Sequence, residues 1–363
     1  MAMDIRTSPS VSVVAAEDRV MVWNSDERAE FAVPADDLGM IATVLADCAD
    51  WRLLDTAVAH TSDALGMAPE RVEQTLLDLA TRGIFQTRPS KEGEPSFDHP
   101  ERWSAYGWRD AYLYHRHIRS LPVPEYATKA GFEQDVEEMR AIAAEEPQPS
   151  AYLDRSALRR VQLRRPEPDT ARAGVLSDTL TTEAHQEGPP EPADLEWLIR
   201  LSFGQTGTRR LPVTGDHIVK TSPSGGSRHP TEVYPVVLPG THLEPGVYHY
   251  NVRDHRLDLL RRGDLTEFVR RNVIILRNRP NFQPRIAFIL TSVVERSMYR
   301  YRESRSYRVL YQDAGHLLQT FAYAGSALGR STYRGYTMRT AEVADLLGVD
   351  ELEQMPLAYG VLG

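Results

Sequence analysis

The sequence predicts a mixed α+β protein built from more than one domain, and three observations carry that prediction. Apolar runs of strand length, Val233–Leu238 and Arg285–Ser292, stand in the same stretch as segments with apolar residues at helical spacing, Asp194–Phe203 and Val309–Leu328. A separate N-terminal stretch carries short strands followed by three helices. The chain has 363 residues, enough for two or three domains and a sizeable core. The expected division is a small module over residues 1–90, a linker and helical connector over 91–150, and the main α+β domain over 151–363.

Composition narrows the class. With 41% hydrophobic and 26% charged residues the chain reads as an ordinary soluble protein. No apolar run approaches the ~18 residues that a membrane span needs. No basic segment followed by an apolar stretch marks a secretory signal. Cys48 is the single cysteine, which excludes an internal disulfide and a cysteine-rich metal site; on a helix face it reads as a small buried hydrophobe. A cytoplasmic protein without a metal site or a membrane partner is expected. The net charge of −9 is uneven: residues 201–363 carry +6 and residues 1–200 carry −15. An anionic cofactor is therefore better placed on the C-terminal part.

In the N-terminal module, Val11–Ala15, Arg19–Trp23 and Ala29–Val33 read as strands between polar turns. Pro34–Asp37 puts acids in the first turn of a helix on which Leu38, Ile41, Leu45 and Cys48 recur at helical spacing. A second helix over Leu53–Leu65 ends at Gly66. A third opens at Ala68-Pro69-Glu70, turns Val72, Leu76, Leu77 and Leu79 inward, and stops at Gly83. Small strands with three helices make a winged-helix-like module, for which DNA binding is the common use. Here the third helix sets only Arg71 and Arg82 against Glu70, Glu73 and Asp78, so phosphate would repel it and nucleic acid is not the expected partner. The arrangement resembles PqqD-like recognition elements, which grip leader peptides by adding a strand to a sheet edge. Peptide recognition is expected, with a structural or dimerising module as the alternative.

Residues 86–100 have the Pro/Gly-rich polarity of a linker. The aromatic segment Trp103–His117 follows. His115 and His117 are two apart and do not share a helix face, which is poor metal-ligand spacing. Packing between the two domains is the expected role. Glu133–Glu146 reads as an acidic helix with a solvated face, and residues 147–194 as an extended arm over the main domain.

The main domain opens with the helix Asp194–Phe203, which turns Leu195, Leu198, Ile199 and Leu201 inward. The strand Val233–Leu238 comes next, then a hairpin from Gly246–Tyr250 and Leu257–Leu260. A helix over Leu265–Leu276, the central strand Arg285–Ser292, the long helix Val309–Leu328, a helix over Thr340–Leu347 and a strand over Leu357–Val361 complete it.

Two motifs carry chemistry. The first is Lys220-Thr-Ser-Pro-Ser224-Gly225-Gly226-Ser-Arg228-His229-Pro-Thr-Glu-Val-Tyr234, in which two glycines let a flat ligand approach the backbone. Arg228 and His229 follow at once and suit an anionic or electron-accepting ligand. The second is Tyr299-Arg300-Tyr301-Arg302-Glu-Ser-Arg305-Ser-Tyr307-Arg308, followed by Gln312-Asp-Ala-Gly315-His-Leu-Leu-Gln319-Thr-Phe321. Together, over roughly Leu195 to Gly363, they resemble the SagB-type branch of the flavin-dependent nitroreductase superfamily, and within it the peptide maturation dehydrogenases.

The resemblance implies a nitroreductase-like mixed sheet with flanking helices, an FMN cofactor held between the subunits of a homodimer, and oxidation of thiazolines or oxazolines to azoles in ribosomally made peptides; another peptide redox step (dehydroamino acid reduction or Cα–Cβ oxidation) and a non-catalytic leader-peptide-binding scaffold are the alternatives. It implies a precursor peptide, leader and core, as partner, together with a cyclodehydratase or other maturation enzymes. By the resemblance, Ser224, Gly225 and Gly226 meet the isoalloxazine with Arg228 close by, and Gly315 and Gln319 of the partner's long helix line the same pocket. The base of such enzymes is carried by a Lys-Tyr pair upstream of the Arg-x-Tyr-Arg run. This chain has Arg300-Tyr301 there, and arginine cannot act as an ordinary base. Tyr301 between Arg300 and Arg302 is the expected base, with a lowered pKa. Packing of Tyr301 and Tyr307 in an arginine ladder is the alternative. Lys220 is the remaining base candidate. The arginine run that grips the FMN phosphate in the family is missing from the matching stretch Leu176–Glu183. Arg209 and Arg210, or Arg305 and Arg308, are the expected replacements.

Overall fold

The computed structural model describes residues 3–15, 19–24, 29–34, 38–89, 99–123, 125–165, 188–276 and 278–363. They divide into two compact units, Met1–Val123 and Pro124–Gly363. The stretch Leu176–Glu183 lies outside the described residues.

In the first unit, β1 (Met3–Thr7) is followed by β2 (Val11–Ala15), β3 (Arg19–Asn24) and β4 (Ala29–Pro34). Then come α1 (Leu38–Asp47), β5 (Arg52–Leu53), α2 (Leu54–Leu65), α3 (Pro69–Thr81), β6 (Phe85–Pro89), α4 (His99–Ala105) and α5 (Arg109–Ser120). β2, β3 and β4 form an antiparallel meander, and β1 pairs between β5 and β6. Local signals set the helix ends: Gly66 closes α2 at φ 63°, and Pro69 stands in the first turn of α3, where no N–H is missed. Ile5, Val22, Cys48, Leu54, Val58, Leu76 and Phe85 make the core. Cys48 is fully buried, and burial raises its thiol pKa to about 11, so it is an inert hydrophobe. Within this unit His117 packs on Trp23 and His115 on Trp103.

The second unit begins with α6 (Lys129–Glu145), capped by the Thr128 hydroxyl, which accepts from the Gly131 N–H. After it come β7 (Arg159–Gln162), α7 (Pro192–Phe203), β8 (Gln205–Leu211), β9 (Gly215–Lys220), β10 (Thr231–Val237), β11 (Gly246–Asn251) and β12 (Arg256–Arg262). The chain ends with β13 (Ile286–Val293), α8 (Val294–Met298), α9 (Tyr307–Ala327), β14 (Thr332–Gly335), α10 (Thr340–Leu347) and β15 (Gln354–Leu362). Seven strands form one antiparallel sheet in the order β14-β15-β13-β10-β11-β12-β7. β10 is buried throughout and β13 nearly so, because helices cover both faces of the sheet centre. On one face, Leu198 and Phe203 of α7 and Leu318 and Phe321 of α9 pack on Phe288. On the other, Val343 and Leu347 of α10 pack with Tyr234, Ile289 and Tyr359.

Three expectations change here. The acidic helix belongs to the second unit, not to a connector, and its Asp135 pairs there with Arg300. Residues 159–162 of the expected arm instead form the edge strand β7, pairing with β12. The helix expected over 265–276 is one short turn, Thr266–Phe268, running into a π-helical turn, Val269–Val273.

Candidate active site

The Ser-Gly-Gly bend between β9 and β10 holds three residues in left-handed backbone, with the right-handed Arg228 among them. Gly226, Ser227 and His229 have φ of 57°, 55° and 44°. A serine and a histidine in that region cost on the order of 1–3 kcal/mol each, so the surroundings must hold them. The hydrogen bonds that do so are specific. Ser224 Oγ donates to Asp313 Oδ2 at 2.5 Å and accepts from the His229 N–H at 2.8 Å. The Gly225 N–H reaches Asp313 Oδ1 at 3.3 Å. The His217 Nδ1 meets the Ser227 carbonyl at 3.2 Å, and the Ser222 hydroxyl meets that of Thr320 at 2.6 Å. β9 and α9 thus fix the bend from two sides.

The two glycines are sterically required. A Cβ on Gly225 would stand 2.6 Å from Val309 Cγ1, and one on Gly226 would fall against the Tyr301 hydroxyl. The side chains of Val309 and Tyr301 therefore close on the bend that the sequence suggested would lie bare for a ring.

Beneath the bend lies a buried ionic cluster. Glu232 receives Arg296 Nη1 at 2.6 Å and His249 Nε2 at 2.9 Å, and all three residues are nearly solvent-free. Burial alone would raise the Glu232 pKa, but the Arg296 charge and the His249 bond outweigh it and hold it at about 2. Burial brings the Lys220 ammonium down to about 8, partly offset by the charge of Glu232. His229 falls to about 3, through burial first and then the charge of Lys220. Burial raises the Asp313 carboxyl, against the bonds from Ser224 and Gly225.

Beside the bend is a cavity of about 310 Å³. Gly226, Arg228, Arg300 and Tyr301 line one side, the β8–β9 turn Leu211–Thr214 another, and Tyr126 with Phe132, Val136 and Met139 of α6 a third. Arg228 is only 7% exposed, and its Nε has no partner. Its guanidinium lies 5.9 Å from the Tyr299 ring centroid and makes no hydrogen bond or ion pair with a described residue. A buried cation without an acid suits a ligand that presents acceptor oxygens, as the pyrimidine end of a flavin does.

The remaining sequence candidates scatter. Arg300 pairs with Asp135 of α6, and Arg302 with Glu146 just past it, while Glu133, Glu137 and Glu138 stay exposed on the solvated face. Tyr301 then lacks two free cations. Burial raises its pKa above the ordinary value, and Arg300 and Arg228 offset this only partly, so the expected lowered pKa is corrected. Arg209 and Arg210 stand exposed on β8, Arg210 at 3.7 Å from Asp216. Arg305 and Arg308 flank the start of α9, and Arg308 is exposed. Gly315 has open space where a Cβ would be, and Gln319 is exposed and bonded to Arg334, both on α9. Asp313, Glu232 and Arg296 were missed by sequence reasoning, although Asp313 stands inside the second motif. Among the described residues no group of His, Cys, Asp or Glu is gathered that would hold a metal. No helix is long and apolar enough to cross a membrane.

The comparisons match this architecture. Residues 186–363 match the nitroreductase family model. This part of the chain is a nitroreductase-family domain. The chain is 34% identical over 232 residues to the trifolitoxin-processing protein TfxB of Rhizobium leguminosarum bv. trifolii, covering 60% of each chain. It is 32% identical over 165 residues to the trifolitoxin-processing protein TfxF of the same organism, covering 44% of this chain and 52% of TfxF. It thus spans between half and three-fifths of these relatives' lengths. Both are consistent with the SagB-type peptide-maturation branch. A chain of the Escherichia coli microcin synthetase McbBCD complex, solved with truncated pro-MccB17 bound, is 17% identical with a TM-score of 0.42, over 76% of this chain and 98% of that one. At that TM-score the likeness carries no further argument.

Proposed function

We propose that the chain is an FMN-dependent dehydrogenase that modifies a ribosomally made peptide, with azoline-to-azole oxidation as the leading reaction. The observation that carries the reading is the buried Arg228 guanidinium, whose Nε has no hydrogen-bond partner among the described residues, lining a cavity beside the bend of a nitroreductase-family domain. The trifolitoxin-processing relatives support a peptide as substrate.

Ser224, Gly225, Gly226 and Arg228 would hold the ring, Arg209, Arg210, Arg305 and Arg308 the phosphate, and Gly315 and Gln319 of a second copy would complete the pocket of a homodimer. FMN supplies the acceptor for the hydride that leaves one carbon of the azoline. A base must take the proton from the neighbouring carbon. Tyr301, with its raised pKa, is a phenol at neutral pH and serves as a hydrogen-bond donor. Lys220, at about 8, is the candidate able to accept a proton. The N-terminal winged-helix-like module would recognise the leader peptide.

Freshly purified full-length protein is expected to be yellow, absorbing near ~450 nm, and to remove two hydrogens from an azoline-bearing peptide. Colourless protein that also ignores added FMN would overturn the reading. One observation favours a second reading. Val309 and Tyr301 fill the space over the two glycines, as suits a scaffold that holds peptide for a partner enzyme. Tight peptide binding without turnover under any electron acceptor would select it.

A further inference from the structure

The cavity beside the bend has a mouth whose chemistry differs from its base. Three apolar side chains at the mouth remain exposed: Tyr126 at 51%, Phe132 at 53% and Val213 at 39%. Val213 sits at φ 66°, a backbone region where a β-branched residue is a genuine outlier. Strain of this kind gathers where a chain contacts a ligand. At the polar base, Arg228 is nine-tenths buried and its Nε has no hydrogen-bond partner among the described residues.

The α6 wall is pinned. Asp135 and Glu146 pair with Arg300 and Arg302, the Ser150 carbonyl accepts from Arg296 Nε at 2.8 Å, and the Glu146 carbonyl accepts from the Tyr299 hydroxyl at 3.4 Å. These ties anchor α6 to the segment that carries Tyr301. α6 precedes the family-matched residues 186–363.

We propose that the mouth formed by Tyr126, Phe132 and Val213 is a specificity pocket that seats an apolar, preferentially aromatic, side chain of the peptide substrate. The inference rests on the peptide-substrate part of the function proposed above; in that reading Arg228 at the base is left to the cofactor. It makes α6 a specificity element. Tyr126 and Phe132 are half exposed and their removal leaves the core intact, whereas Met139 behind them is buried.

The test uses full-length protein and three N-acetylated, C-amidated tripeptides, Gly-Ala-Gly, Gly-Leu-Gly and Gly-Phe-Gly, titrated by saturation-transfer NMR. FMN affinity is measured in parallel by flavin fluorescence. The phenylalanine peptide is expected to bind about tenfold more tightly than the alanine one. In Tyr126→Ala/Phe132→Ala that preference should shrink to about twofold, and in Val213→Gly to an intermediate value, with FMN affinity changed by less than about twofold. Equal binding of the three peptides by the wild-type chain overturns the proposal, as does a preference that survives the double variant. A parallel loss of FMN affinity also overturns it, because α6 would then pack the cofactor. If FMN fails to bind while the preference is present and lost in the variant, the flavin reading fails and the pocket stands.

Discussion

Ser224 and Asp313, 89 positions apart, share a 2.5 Å hydrogen bond that ties the bend to the middle of α9. The same carboxylate takes the Gly225 N–H, and Ser224 in turn accepts from the His229 N–H. One buried acid therefore organises a turn in which three residues are left-handed. Asp313→Ala strands the Ser224 hydroxyl and the Gly225 N–H, and should lower stability to urea by about 2–3 kcal/mol. Asp313→Asn, which still accepts from Ser224, should recover at least half of that.

Glu232 and Arg296 form a pair with almost no water contact. Glu232→Gln leaves the Arg296 charge buried and uncompensated, for an expected loss of about 3–5 kcal/mol in denaturant unfolding. Adding Arg296→Met removes the stranded charge, and the double variant should be clearly more stable than Glu232→Gln alone.

The fit of Tyr301 against Gly226 can be read as a coupling. Gly226→Ala puts a methyl where φ is 57° and against the Tyr301 hydroxyl, and should cost about 2–4 kcal/mol. Tyr301→Phe removes the hydroxyl, so the double variant should regain about 1 kcal/mol relative to the sum of the single changes. Strict additivity in thermal or urea unfolding would mean that the phenol does not press on the bend.

Acid should weaken the fold in two stages. His229, held at about 3, stays neutral while the unfolded chain's histidine, ordinarily at 6.5, takes up a proton. The unfolded state then binds more protons, so this contribution is complete above pH 6.5 and is lost as pH falls towards 3. Glu232, held at about 2 against an ordinary 4.5, adds a second loss below pH 4.5. His229→Asn tolerates the left-handed backbone and cannot titrate. It should flatten the stability profile between pH 6.5 and 4.5 while leaving the steeper fall below; an unchanged upper slope would assign it to other groups.

Periodic segments were the most legible part of the fold. Thr340–Leu347 is a helix over the expected residues, and β2, β3 and β4 lie where their apolar runs placed them. Arg159–Gln162 carries no such period, and its strand exists only because β12 offers an edge to pair with. The exposed strand β8 escaped notice for a similar reason: Gln205–Leu211 presents no apolar face, and among the described residues it pairs with β9 alone.

By itself the sequence determined the strongly periodic helices and apolar strands, the presence of a glycine-rich bend, and the resemblance to a flavin family. Those rest on local backbone chemistry and on short motifs, which a chain carries wherever it folds. Only the tertiary structure decided which charges are spent. Arg300 finds Asp135 across 165 positions and Arg302 finds Glu146 across 156, while Arg228 is buried without an acid among the described residues. A charge's strength depends on the dielectric around it and on the partner a few ångströms away, and both are set by packing between distant segments. That is why Tyr301 looked like an activated base in the sequence and is a buried phenol in the fold, and why Lys220, brought down to about 8, became the candidate more readily unprotonated near neutral pH.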